Sequence, residues 1–221
     1  MSRASEVRRT GFPGGVARVA AAAALVLGLA AAGSLPADPA GRLEKGKFLI
    51  AKRHLWDPNF AHSVVLLVEH SREGAMGLIV NRSSEVTLAT VQPELEGVVG
   101  RPDTVFLGGP VGRQMMILLV RAERQREGTL PVFDDVYVSS SPLLLGHLIG
   151  EGVARDRLKV FAGHAGWSPG QLENEVARGD WLIWPADADT VFDPEPEDVW
   201  QRLIRRDEDL VASLRMPPIA P

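Results

Sequence analysis

The stretch Leu158 to Glu175, LKVFAGHAGWSPGQLENE, constrains the fold more than any other, because a buried strand, two close glycines and a helix start follow one another within it. Leu158, Val160, Phe161 and Ala162 form a short apolar run of strand type. Gly163 and Gly166 then bound a predicted turn, where glycine permits backbone angles or close approaches that a side chain would obstruct. Ser168-Pro169-Gly170-Gln171 opens a predicted helix. Serine can cap free N–H groups, proline at the first helical position loses no bond, and Gln171 stands where a capping box takes Glu or Gln. The helix is expected to stop at Gly179. Gly166-Trp167-Ser168-Pro169-Gly170 also fits the G-x-S-x-G pattern of a nucleophile elbow, but two facts oppose that reading. The oxyanion hole of that motif uses the N–H of the residue after the serine, and Pro169 has none. No histidine follows Ser168, the last being His164. A phosphate loop fails as well, since no Lys-Ser or Lys-Thr pair follows the glycines. A helix N-terminus behind the glycines, able to hold an anion, survives.

With 221 residues, 45% hydrophobic and 24% charged, the chain suits one globular domain with its own core. The net charge is −4; without residues 1–38, which hold four Arg and two acids, 20 basic face 26 acidic residues. A large nucleic-acid footprint is therefore not expected. The absence of cysteine excludes disulfides, thiolate catalysis and cysteine-ligated metals. Residues 1–38 read as a signal peptide or N-terminal anchor: Arg3, Arg8, Arg9 and Arg18 precede the small and apolar run Val19 to Ala32, and small residues follow at 33–37. An exported protein is expected, periplasmic or anchored, with membrane contact only through residues 19–32 if they stay uncleaved. The alternative is a cytoplasmic protein with a misassigned start.

From Gly41 onward, short strands alternate with turns. Strands are expected at Lys47–Ala51, Ser63–Glu69, Ala75–Val80, Val105–Leu107 and Met115–Val120, the second and third joined as a hairpin near Glu73-Gly74. Thr87 is placed as the cap of a short helix that Pro93 ends, and Arg121 to Gly128 as a charged, exposed loop. Val132 to Val138 reads as one edge strand interrupted by Asp134 and Asp135. Ser141-Pro142 starts a helix with Leu144, Leu145, Leu148 and Ile149 at helical spacing, ending at Gly150. Trp181-Leu182-Ile183-Trp184 reads as a strand with both tryptophans on one face. Asp193-Pro194 begins a final helix with Val199, Trp200, Leu203 and Ile204 as its buried stripe and Arg205-Arg206 near its end. The domain is bounded at 41–206, with 207–221 a flexible tail.

Several of these blocks together resemble the YqgE/AlgH family: Asp57-Pro58-Asn59-Phe60, Glu69-His70, Gly74-Ala75-Met76-Gly77-Leu78, Asn81-Arg82, Gly108-Gly109-Pro110-Val111, Ala165-Gly166-Trp167 and Gly170-Gln171-Leu172-Glu173. The resemblance spans roughly residues 44 to 205. It implies a single α+β domain with a largely antiparallel sheet and flanking helices. It implies no catalytic residue, cofactor or metal, and the family is only loosely labelled as transcriptional regulators. Two features depart from the pattern: His164 stands where tyrosine is usual, and an export signal is uncommon.

Three functions remain in view. The first is a non-catalytic binding or regulatory domain for a small anionic ligand or a protein partner. Its candidate ligand contacts are Asn81, Arg82, His164, Gly166 and Trp167. The second is a hydrolase or lyase working through Glu69, His70 and His164, which requires those side chains to share one cleft. The third is a cytoplasmic transcriptional regulator, although the most basic helix offers only Arg202, Arg205 and Arg206. His54, His62 and His70 are evenly spaced, but eight strand residues span about 26 Å, too far for neighbours in the series to share an ion unless the chain folds back.

Overall fold

The structure, a computed structural model, describes residues 41–215. The expected export segment and the chain from Met216 lie outside the described residues. The strands in chain order are β1 (Lys47–Ala51), β2 (Val64–Ser71), β3 (Gly74–Ile79), β4 (Ser83–Thr87), β5 (Thr104–Leu107), β6 (Val111–Arg121), β7 (Leu130–Phe133), β8 (Val136–Ser139), β9 (Leu158–Trp167) and β10 (Trp181–Pro185). The helices are α1 (Leu88–Val91), α2 (Pro142–Gly150), α3 (Gln171–Arg178), α4 (Ala188–Val191) and α5 (Pro196–Arg215). All the strands join one sheet in the order β10-β1-β2-β3-β9-β6-β8-β7, with β4 on β5 and β5 beside β9. Every pairing is antiparallel except β5 with β9. This is an α+β domain with a largely antiparallel sheet.

The strand β9 sits at the centre and corrects the expected turn. It runs unbroken through Gly163 and Gly166 to Trp167. Gly163 has a φ of +70°, and a Cβ there would lie 2.7 Å from the Val111 carbonyl oxygen and 2.9 Å from that of Gly109. Only glycine fits such a backbone approach. The left-handed residue also resets the alternation of faces. Phe161 packs with Phe48, Leu66 and Trp200, whereas Ala165 and Trp167, of the same parity, pack with Leu49, Leu67 and Leu172. One strand thereby serves cores on both sides of the sheet. The partner strand β6 adjusts in step, its register on β9 shifting between Val111 and Met116.

Helix α5 covers one face with Val199, Trp200, Leu203 and Ile204, and α3 covers the other with Leu172. A third cluster joins α2 to β5, β6, β8 and β9 through Leu144, Leu145, Leu148 and Ile149. Each large apolar side chain so buried contributes about 1.5–3 kcal/mol. Ser141 and Thr87 cap α2 and α1 as expected, accepting from the N–H of Leu144 and Thr90.

Other expectations are revised. The hydroxyl of Ser168 caps nothing: α3 starts after Gly170, which takes the left-handed conformation, and the bond runs the other way, from the Ser168 N–H to Gln171 Oε1 at 3.1 Å. Half of a capping box is thus realised, its glutamine half. Asp134 and Asp135 do not interrupt one strand but form the turn of the hairpin β7–β8, Asp134 at a φ of +39°. Trp181 and Trp184 lie on opposite faces, because strand side chains alternate with a period of two. Trp181 packs with Trp167 and Trp184 with the α5 cluster. Helix α5 begins at Pro196 and continues to Arg215, so Arg205-Arg206 lie within it rather than at its end.

Candidate functional site

The loop from Asp57 to Ser63, which joins β1 to β2, gathers the family-like blocks. Asp57 nucleates it, its side chain accepting from the Asn59 N–H at 2.8 Å and its carbonyl from the N–H groups of Phe60 and Ala61 at 2.9 and 2.7 Å. Asn81, just past β3, bridges the loop's far end: Oδ1 accepts from the Val64 N–H at 2.7 Å and Nδ2 donates to the His62 carbonyl at 3.0 Å. An amide side chain presents a carbonyl acceptor and N–H donors side by side, as the backbone does, so Asn81 substitutes for a missing stretch of strand ladder. It steadies His62, whose φ is +59°. Arg82 donates to the carbonyls of Asn59 at 2.9 Å and Ala61 at 3.3 Å.

Between those two carbonyls, Phe60 turns inward. Its ring stacks on Trp167 with centroids 5.8 Å apart and meets Trp181 edge-on at 5.6 Å. Both indole N–H groups donate to Glu175 Oε2 of α3, each at 2.9 Å. The shared carboxylate explains how two tryptophans only 5% and 3% exposed keep their polar atoms satisfied. Three of the candidate contacts, Asn81, Arg82 and Trp167, therefore hold one loop in place.

His164 and Gly166 stand on the other side of this joint. A methyl group at Gly166 or at Gly112 would rest 3.8 Å from the His164 ring, so the ring lies between these two glycines. Its Nδ1 is buried and has no hydrogen-bond partner. Arg113 follows directly, its Cα 3.1 Å from the place a Gly163 Cβ would occupy. The Arg113 side chain is exposed. Burial lowers the pKa of Arg82, and the charge of Arg113 pushes it the same way. Arg113, overlooked in the sequence, thus links Arg82 to the His164 segment.

The histidine and glutamate set does not converge. His70 shares a face with Ala75 and Trp167, and its Nε2 lies 2.9 Å from Glu173 Oε1 of α3. Burial is not what holds Glu173: backbone and His70 hydrogen bonds lower its pKa. Glu69 and Gly166 both align with Met76, and the His164 ring lies over Gly166, so Glu69 and His164 face the opposite side from His70. Among the described residues, no three His, Asp or Glu side chains cluster closely enough to hold a metal ion.

The fold and these blocks agree with what comparison finds. The AlgH-like family model matches residues 48–209. The chain belongs to the AlgH-like family. A UPF0301 protein of Mycobacteroides abscessus is 35% identical over 194 residues, covering 83% of this chain and 89% of that protein. A second, from Pseudomonas fluorescens, is 39% identical over 158 residues, covering 69% and 83%. The solution structure of the AlgH protein from Pseudomonas aeruginosa superposes with a TM-score of 0.59 at 34% identity, covering 79% of this chain and 95% of that one. A crystal structure from Corynebacterium diphtheriae gives 0.63 at 29% identity, covering 75% and 88%. Within this AlgH-like domain the residues Asp57–Phe60, Asn81-Arg82 and Trp167 are one structural unit, although they are far apart in the chain.

Proposed function

We propose that this AlgH-like domain is a non-catalytic binding or regulatory module that meets an anionic group at Arg82, Arg113 and His164. The anion is carried by a small molecule or by an acidic side chain of a protein partner. One observation carries the reading: Arg113 directly follows Gly112, which lies against the His164 ring with its buried, unpartnered Nδ1, the like charges of Arg113 and Arg82 repel one another, and no carboxylate among the described residues pairs with either arginine. An anion between them relieves that repulsion and gains charge-assisted hydrogen bonds. Asn81 and Trp167 contribute by fixing the loop under Arg82, and Gly166 by leaving the approach to the ring open. A nucleic-acid role gains no such support. On α5, Arg202 pairs with Asp193 and Arg206 lies over the Trp184 ring.

The test is a titration with inorganic phosphate at low ionic strength, followed through backbone amide shifts. Saturable shifts at Gly163 to Gly166 are expected in the wild type, and their loss in Arg113→Glu, an exposed substitution that leaves the core alone. Absence of those shifts, or their persistence in the variant, refutes the reading.

A further inference from the structure

The chain holds four lysines, and three of them, Lys45, Lys47 and Lys52, precede the loop at Asp57. The fourth, Lys159, lies inside the apolar run of β9 and is only 5% exposed. Long cationic side chains normally carry their charge out to water. Lys159 does not. Its Nζ lies 4.2 Å from the centroid of the Phe106 ring and makes one long hydrogen bond, 3.4 Å to the Val80 carbonyl. No carboxylate among the described residues forms an ion pair with it.

Lys159 lines a cleft of about 590 Å³, walled by Phe106 and Phe192, with Ser83 and Thr104 as hydroxyls. The charged groups around it are Asp103, Arg155, Asp156, Asp193 and Glu197. Three of the four acids are already engaged: Asp103 with Arg101, Asp193 with Arg202, and Glu197 with the Ser83 hydroxyl. Of these, Asp193 and Glu197 attract positive charge at the amine without pairing with it. Burial outweighs that attraction and brings the Lys159 pKa down to about 8.

We infer that Lys159 is a carbonyl-binding amine that condenses with a small, uncharged, apolar aldehyde in the Phe106–Phe192 cleft to form an imine. The nitrogen lone pair attacks the carbonyl carbon, and a proton passes from nitrogen to the former carbonyl oxygen to give a carbinolamine. A second proton, taken from solvent, leaves with that oxygen as water, and the product is a protonated imine. The balance is one amine, one aldehyde and one proton in, one iminium and one water out. No oxidant or reductant enters. The acids around the cleft favour the retained positive charge and disfavour an anionic aldehyde. Arginine at this position could not react, because a guanidinium does not deprotonate in proteins. The site is separate from the Arg82–Arg113 contact and stands without it.

The experiment treats the full chain with n-butyraldehyde and sodium cyanoborohydride at pH 7.5 and maps modified peptides by mass spectrometry. At that pH about a quarter of Lys159 is the free amine, against about a thousandth of an ordinary lysine. Modification at least tenfold faster at Lys159 than at Lys45, Lys47 or Lys52 is expected, with peptide mapping separating the N-terminal amine. A Lys159 peptide that stays unmodified until the protein is denatured overturns the inference. A second arm omits the reductant. Butyraldehyde is then expected to raise the melting temperature of the wild type and not of Lys159→Arg, and an equal rise in both overturns it as well.

Discussion

Lys159 carries a charge that its surroundings resist, and the sign of its effect on stability follows from that. Burial is the larger influence and Asp193 and Glu197 the smaller, so the folded pKa of about 8 lies below the ordinary value of 10.5. Between those values the unfolded chain binds more protons than the folded one, and stability therefore rises with pH across the window. The penalty is fully present below about pH 8 and is gone above about pH 10.5. Its ceiling is about 3.5 kcal/mol, from about 1.4 kcal/mol per pKa unit. Lys159→Met is expected to be more stable than the wild type at pH 7, with the gap much narrower at pH 10. Urea titrations of both proteins at the two pH values measure it, and other titrating groups cancel in the comparison. A gap that does not change with pH contradicts the prediction. In the sequence, a single lysine within Leu158–Phe161 reads as a charge on an otherwise apolar strand, and only the packing of Phe106 over its head group shows where it points. Arg113 was hidden for a related reason. Its importance comes from the register shift in β6, which no local periodicity records.

At the scale of elements, strands and helices were largely legible and their joints were not. The alternation rule reads faces along one strand, so the reset at Gly163 escapes it, and the glycines there suggest a turn instead. Ser168 has the residue type of a cap, but the left-handed Gly170 places the helix start beyond its reach. The joint between β9, α3 and β10 rests on Glu175, whose Oε2 accepts from both Trp167 and Trp181. Removing that acceptor leaves two nearly buried N–H groups unsatisfied, each costing about 1–3 kcal/mol. Glu175→Ala is therefore expected to lose about 2–6 kcal/mol of stability. Glu175→Gln keeps one carbonyl oxygen, and its loss should be less than half as large. Denaturant unfolding of the two variants decides the matter. Equal losses would show that the shared oxygen is not what holds the joint.

At the scale of the whole molecule, the family-like blocks disclosed the α+β class, while the strand order stayed out of reach. The parallel contact of β5 with β9 depends on pairing Val105–Leu107 with Val160–Ala162 across a long separation, and nothing in either segment names the other. The blocks Asp57–Phe60 and Asn81-Arg82 were legible as motifs, but their shared purpose, holding one loop against Trp167 and Trp181, exists only in three dimensions. Export is a proposal of the same scale. The arginines at 3, 8, 9 and 18, the apolar run Val19 to Ala32 and the small residues after it have the order of a secretory signal. No helix of the described residues is long and apolar enough to cross a membrane, so a span, if the protein keeps one, falls to that run. Cleavage within 33–37 would leave intact the described domain, in which Leu43 already packs against the α3-side core. N-terminal sequencing of the protein from its native host is expected to find a first residue between Ser34 and Asp38, in material recovered outside the cytoplasm. A soluble cytoplasmic chain that begins at Met1, or a native start near Gly41, would sink the proposal.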